Sequence, residues 1–247
     1  MTTIESSRPS LTTNDSAVLQ ALFDAESSPS SAVTIDPSLS PLPAHLGISS
    51  TQYEALKSRE LSIVRTLQSN DAIKDTIKAA IKEFDALIDE YPSYPSAYAN
   101  RAQALRMLID ASSDANPANQ SDPDERLFDP VNAELASSLL SDLGQAISLA
   151  TPRSPADPVS SVQARILADS HTHRGYILLK AAKKTDISLE KLRKLGSDQL
   201  EEMASRDFFF GGRYGNQVAQ QLAVQTNPYA KMCGAIVKEA MRKELEE

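Results

Sequence analysis

The chain has 247 residues, 41% of them apolar, so it can bury the core of one good-sized domain or two small ones. Its 33 acidic and 25 basic residues give a formal net charge of −8, which argues against nucleic-acid binding through a broad basic face. Eight glycines and no tryptophan argue against a β-barrel or sandwich. The single cysteine, Cys233, cannot form an internal disulfide, no apolar run approaches about 20 residues, and the N-terminus lacks a signal-peptide core. We therefore expect an intracellular protein of the cytoplasm or the nucleus, with no membrane association.

The first fifty residues predict three segments that lack a core of their own. Residues 1–13 are polar and rich in serine and threonine, so we expect them to be disordered. Residues 14–25 predict a short docking helix, whose apolar stripe must be covered by the body of the protein or by a partner. Residues 26–50 carry four prolines among serines, which predicts an extended linker.

A helix–turn–helix pattern near the middle of the chain organises the rest. Ala80 and Phe84 stand four residues apart, so they lie on one face of a helix, and Pro92 must end that helix. Tyr98 and Ala102 then belong to a second helix, with a small side chain at a place where two backbones can approach closely. The stretch therefore predicts a helical hairpin.

The hairpin pattern returns further along the chain. The residues that define it are Ala80, Phe84, Pro92, Tyr98, Ala102, Leu143, Gly175, Ala204 and Phe208. We predict three helix pairs over residues 51–226, with insertions at 112–130 and 184–198, and a capping helix over 227–247. One pair cannot bury its apolar face alone, so the pairs must stack into an all-α fold with a right-handed superhelical twist.

The end of the last paired helix can also be predicted. Glycine is a common helix terminator, and two glycines follow Phe208 closely. We therefore expect this helix to end near Gly211 and Gly212.

The helix pairs resemble the tetratricopeptide repeat. Three stretches, in this order, are similar to the tetratricopeptide repeat protein 36 family: DSAVLQALFD, SAYANRAQALRML, and SRDFFFGGRYGNQVAQQL followed by NPYAKMC. The resemblance implies a superhelix of three repeats that serves as an adaptor and not as a catalyst. It also implies association with Hsp70-type chaperones, and a role in tyrosine metabolism through protection of an enzyme of that pathway.

One property of chaperone-binding repeat proteins can be compared residue by residue. Many of them hold the C-terminal carboxylate of Hsp70 or Hsp90 in a clamp of lysine, asparagine and arginine side chains, through charge-assisted hydrogen bonds. The five clamp positions lie on the first helix of each pair, and here they carry Glu60, Val64, Asn100, Asp169 and His173. Only Asn100 matches, and two carboxylates would repel an acidic tail. We expect no clamp binding.

Helical spacing places six polar side chains on the concave face of the second and third pairs. They are Asn100, Gln103, Arg106, His173, Tyr176 and Lys180. This mixture of donors and modest positive charge suits an extended peptide or a helix of a protein partner. A neutral His173 in the groove would add pH sensitivity through its protonation. Arg101 and Arg174 occupy equivalent places in the two pairs, where a bridge between helices and a ligand contact are both open.

Catalytic and metal-binding patterns are missing from the sequence. We find no nucleophile–base–acid constellation. His171 and His173 stand two residues apart and would point in different directions on a helix, so we interpret His171 as a packing residue. We therefore predict a non-enzymatic adaptor without cofactor or metal. Its expected protein partner is an Hsp70-type chaperone or a metabolic enzyme. The alternative is a structural subunit that binds in an assembly through its terminal helices.

Overall fold

The fold of the protein is all-α, as the sequence predicts. The computed structural model describes residues 33–68, 74–111, 125–155, 157–184, 187–227 and 242. The predicted disordered segment 1–13 and the docking helix 14–25 lie outside the described residues, as does nearly all of the capping helix 227–247. No helix of the described ranges combines the length and the apolar character that a membrane span requires.

Eight α-helices form the described part of the chain. They are α1 (Ser50–Leu67), α2 (Lys74–Glu90), α3 (Pro95–Ala111), α4 (Ala133–Ala150), α5 (Ser161–Ala182), α6 (Glu190–Arg193), α7 (Ser197–Arg213) and α8 (Gln217–Thr226). Short 3₁₀ turns occupy Ala44–Leu46, Glu125–Phe128 and Pro130–Asn132. Side chains fix some of the helix starts: α1 begins with a capping box formed by Ser49 and Gln52.

Consecutive helices pack against one another along the chain. Helix α1 contacts α2, α2 contacts α3, and the series continues through α4 and α5 to α7 and α8. Direct contacts of α1 with α3, and of α3 with α5, bring the first helices of three successive pairs to one side. Two neighbouring apolar clusters fill the interior, one around Phe84 and one around Phe208, and Ile81 packs against both. Together the helices share a continuous core.

The residues that define the hairpin pattern mostly occupy this core. The buried ones are Ala80, Phe84, Ala102, Leu143, Gly175, Ala204 and Phe208. Pro92 lies exposed in the turn between α2 and α3, and Tyr98 is half-buried in the first turn of α3. The Tyr98 hydroxyl donates a hydrogen bond to the Pro92 carbonyl at 3.1 Å, which braces that turn.

The described part of the predicted linker includes the 3₁₀ turn Ala44–Leu46, so it is not extended throughout, and it is bound to the rest of the protein. Ile35 and Val159 form an isolated parallel β-bridge, in which the Asp36 N–H donates to the Val159 carbonyl at 2.9 Å. A few residues further on, the Ser160 hydroxyl donates to the Pro41 carbonyl at 2.6 Å. These hydrogen bonds fasten the linker to the joint between α4 and α5.

The described parts of the two predicted insertions pack against each other. Leu127 and Phe128 from the first insertion are buried, as are Ile187 and Leu189 from the second, and all four belong to one apolar cluster. The Ser188 hydroxyl donates to the Phe128 carbonyl at 2.6 Å. Both segments therefore contribute to the core as well as interrupting the repeat.

Helix α7 ends at Arg213, one residue after the two glycines near which we expected its end, and both glycines lie within the helix. Its terminator is Gly215, whose φ of 102° is a backbone conformation that favours glycine. Gly211 and Gly212 instead allow close helix packing. A Cβ atom on Gly211 would lie 2.6 Å from Thr172 Oγ1 and 3.0 Å from Ala219 Cβ. Close approach of α5 and α8 to α7 therefore explains why both residues are glycine.

The substitution Gly211→Ala is expected to destabilise the protein by about 1–3 kcal/mol, as overpacking does. Thr172 cannot yield easily, because its hydroxyl donates to the Ala168 carbonyl at 2.6 Å. Gly144 provides the control: its nearest neighbour atom would be Arg174 Nη1 at 3.9 Å from a new Cβ. Gly144→Ala should therefore stabilise by up to about 1 kcal/mol through helix propensity. Urea unfolding measures both changes, and equal effects at the two glycines would contradict the close-packing explanation.

Candidate protein-binding groove

A recess opens where α1, α3 and α5 meet. Its volume is about 250 Å³. Its lining consists of Glu60, Ser96, Ala99, Asn100, Gln103, Leu143, Arg165, Ile166, Asp169 and Ser170. Polar side chains from three successive pairs thus surround one cavity, on an apolar floor that α4 and α5 supply.

The Glu60 carboxylate organises one wall of the recess. It accepts hydrogen bonds from the Tyr94 hydroxyl, from Ser96 Oγ at 2.6 Å and from Asn100 Nδ2 at 2.5 Å. Burial raises the pKa of Tyr94 far above its usual range, and the nearby Glu60 charge adds to this. The Asn100 amide, the one match to the carboxylate clamp, is therefore already engaged by a carboxylate of its own chain.

Gln103 and His173 connect α3 with α5 beside the recess. Gln103 Nε2 lies 3.3 Å from His173 Nδ1. Burial lowers the pKa of His173 to about 4, with a further contribution from the Arg106 charge. His173 is therefore neutral throughout the range from about pH 5 to 8 in which an ordinary histidine titrates. The lowered pKa argues against the expected pH sensitivity of the groove through this residue.

The other groove candidates lie beyond the recess. Arg106 Nε is 3.1 Å from both carboxylate oxygens of Asp110, one turn along its own helix. Lys180 Nζ stands 5.3 Å from the centre of the Tyr176 ring. Of the six predicted side chains, Asn100 and Gln103 line the cavity, and the structure adds Glu60, Ser96, Arg165, Asp169 and Ser170. On α5 the residues that line the recess lie N-terminal to the predicted ones. Arg165 and Asp169 continue the four-residue spacing of His173 along one face of the helix, and this spacing could have indicated that the groove extends toward the start of α5.

Arg101 and Arg174 both form bridges between the two helices of a pair. Arg101 Nε and Nη2 donate to the two Asp142 oxygens at 2.8 and 2.6 Å. Arg174 Nε and Nη2 donate to those of Asp207 at 2.8 and 2.7 Å. Such bidentate pairs fix both distance and orientation. The structure therefore favours the bridging alternative over ligand contact for both arginines.

The second bridge includes a buried histidine. His171 Nδ1 lies 2.8 Å from Asp207 Oδ1, and its ring stacks on Phe210 and Tyr214 at centroid distances of 5.3 and 6.3 Å. His171 therefore packs between α5 and the end of α7, and His173 faces α3. Within the described ranges, no group of three or more His, Cys, Asp or Glu side chains is placed to hold a metal ion; Cys233 lies outside them.

The chain is similar to known proteins over most of its length. The L-tyrosine degradation gene cluster protein hmgX of Aspergillus fumigatus is 71% identical to it, covering 99% of this chain and 97% of its own length. Tetratricopeptide repeat protein 36 of mouse is 27% identical and that of human 26%, each covering 93% of this chain and 94% of the relative. No family model matches the chain, and no solved structure matches it significantly.

Fold and recess together define an all-α protein of stacked helix pairs with a polar cavity on one side. The chain belongs to the family of the hmgX protein, and its matches to tetratricopeptide repeat protein 36 of mouse and human over 93% of the chain relate it to that protein as well. The family predicted from the three sequence stretches is thereby confirmed.

Proposed function

We propose that the protein is a non-enzymatic adaptor of the tetratricopeptide-repeat type, which holds a protein partner in the groove formed by α1, α3 and α5. The observation that carries this proposal is the recess, where polar side chains from three successive helix pairs surround one cavity of about 250 Å³. Extended or helical segments of partners bind in grooves of this kind.

The relatives narrow the setting in which such an adaptor acts. One of them is named as a product of an L-tyrosine degradation gene cluster and is 71% identical over almost the whole chain. We extend this setting to the protein: it serves tyrosine degradation, in the cytoplasm, by binding an enzyme of that pathway or an Hsp70-type chaperone that attends it. No step of this proposal requires a cofactor or a catalytic residue.

Affinity capture with a blocked groove tests the proposal. Gln103 is exposed at the recess, and Gln145 is exposed on α4, away from it. The variant Gln103→Trp should reduce capture of the partner by at least about tenfold, whereas the matched variant Gln145→Trp should leave it unchanged. Quantitative mass spectrometry of captured proteins gives the ratio. Equal capture by both variants would overturn the groove as the binding surface.

An assembly subunit is the second candidate, and α8 supplies the observation that favours it. Val218 and Val224 on this helix are 60% and 62% exposed. If the protein binds through this end, Val218→Ser with Val224→Ser should abolish capture, and Gln103→Trp should not. The same experiment therefore separates the two candidates.

A chaperone contact, if the partner is Hsp70, should not use the carboxylate clamp. We expect no binding of an Hsp70 C-terminal peptide in the low-micromolar range, because Glu60 and Asp169 replace clamp cations and Glu60 occupies the Asn100 amide. Isothermal titration calorimetry with the free-acid peptide measures this, and its C-terminal amide is the control. Low-micromolar affinity that disappears in Asn100→Ala would show that a clamp exists after all.

A further inference from the structure

We propose that the recess between α1, α3 and α5 binds a basic side chain of the partner, a lysine ammonium or an arginine guanidinium. This inference rests on the proposed adaptor function and specifies the chemistry of the segment that the groove accepts. It follows from the charges of the lining and from one buried hydroxyl.

Carboxylates outnumber cations in the recess. Glu60 and Asp169 approach it from α1 and α5, and Arg165 is the basic residue of its lining. Such an excess of negative charge attracts a cation and repels an anion. A basic group could lie between the two carboxylates, which an acidic tail could not do.

Among the residues that the structure describes, no side chain forms a hydrogen bond or a salt bridge with the Asp169 carboxylate. Desolvation raises the pKa of its carboxyl group above the ordinary value, and the Arg165 charge offsets this only in part. Glu60, in contrast, already accepts hydrogen bonds from three side chains. Asp169 is thus the carboxylate with capacity to bind an incoming donor.

The hydroxyl of Ser170 supplies independent support. Ser170 is only 1% exposed and lines the recess, and among the described residues its Oγ has no hydrogen-bond partner. Buried polar atoms are nearly always paired, so an unpaired one beside a cavity indicates a missing partner. An ammonium or guanidinium group brings several N–H donors and could satisfy both Ser170 and Asp169 at once.

Peptide pools of defined central residue provide the test. Capped, fluorescently labelled nonapeptides with lysine, arginine, glutamine or glutamate fixed at the centre are titrated with the full chain, and anisotropy reports binding. The lysine and arginine pools should bind at least about tenfold more tightly than the glutamine and glutamate pools. Binding of the glutamine pool as tight as that of the basic pools, or no binding of a basic pool up to about 1 mM, overturns the inference.

Two variants locate the binding site. Asp169→Asn should weaken the basic pools by roughly tenfold and remove their advantage over glutamine. Glu83→Gln on α2 makes the same change at an exposed position outside the recess and should have no effect. Ser170→Ala should weaken the lysine pool several-fold while leaving the thermal midpoint of the free protein unchanged or raised. A lowered midpoint with unchanged peptide affinity would assign Ser170 a merely structural role and overturn its place in the site.

The source of the basic group and the parent proposal are tested separately. Spermidine is the free-amine probe; if it binds at the recess and the lysine pool does not displace it, a partner side chain is the wrong ligand. If Asp169→Asn leaves the peptides unaffected while Gln103→Trp still abolishes partner capture, the basic-side-chain inference fails and the adaptor function stands. If peptides bind but Gln103→Trp does not affect capture, the adaptor groove fails instead.

Discussion

Replacing Asp207 with alanine is expected to lower the free energy of unfolding by about 3 kcal/mol, because it leaves a partly buried arginine and a buried histidine without their common acceptor. The Asp207 side chain is 5% exposed and accepts hydrogen bonds from Arg174 at 2.8 and 2.7 Å, with His171 Nδ1 also 2.8 Å away. Glu202→Ala, an exposed carboxylate on the same helix, is the control and should change stability by less than about 0.5 kcal/mol. Urea unfolding followed by circular dichroism measures both.

The pH dependence of the same variant gives a second readout. Burial alone would raise the pKa of Asp207, but hydrogen bonds from Arg174 and His171 hold it below the ordinary value of 3.8. The native state therefore binds this proton less readily than the unfolded chain does. The contribution of the Asp207 carboxylate to the free energy of unfolding is complete above the pKa of the unfolded state. It is lost as the pH falls through the lower pKa of the folded state. Asp207→Ala should flatten the acid limb of stability, and an unchanged acid limb would show that the carboxylate is not held in this way.

The substitution Phe208→Ala is expected to cost about 3–5 kcal/mol, the range typical of a fully buried phenylalanine. Phe208 is 0% exposed, and a Cβ atom on Gly175 would lie 3.1 Å from its ring, so α5 and α7 meet closely around it. The next residue, Phe209, is 48% exposed and offers a matched control of the same chemistry. Phe209→Ala should cost less than about 1 kcal/mol.

The location of the damage can be followed as well as its size. Hydrogen exchange should show faster opening of α5 and α7 in Phe208→Ala before α2 is affected, because stacked pairs depend mainly on their neighbours. Uniform loss of protection along the chain, or equal costs at Phe208 and Phe209, would contradict the packing described for this pair.

Local spacing was enough to predict the helix pairs. The four-residue step from Ala80 to Phe84 and from Ala204 to Phe208 identified the buried face of α2 and α7, since that step is a property of one helix. The packing role of Gly211 and Gly212 in α7 was harder to predict. A glycine that ends a helix and a glycine that admits a neighbouring helix look alike in sequence, and only the position of Thr172 distinguishes them.

Contacts between distant segments could not be predicted in the same way. Arg101 and Asp142 are 41 residues apart in sequence. Whether Arg101 forms a bridge between helices or contacts a ligand therefore depended on tertiary packing. The recess is also displaced toward the start of α5, because its position depends on where α1 and α3 cross that helix. Glu60 and Asp169 were known from the clamp comparison, but their common cavity was not.

The contact between the two insertions has a consequence for recognition. The Ser188 hydroxyl donates to the Phe128 carbonyl, and the apolar side chains next to both residues are buried in one cluster. Rotation of the second helix pair against the third would therefore break this contact. In the proposed adaptor function the groove would then be largely preformed, and the protein itself would lose little ordering entropy on binding a partner. The partner segment would then have to change its conformation on binding, so we expect its flexibility to govern the affinity of the complex.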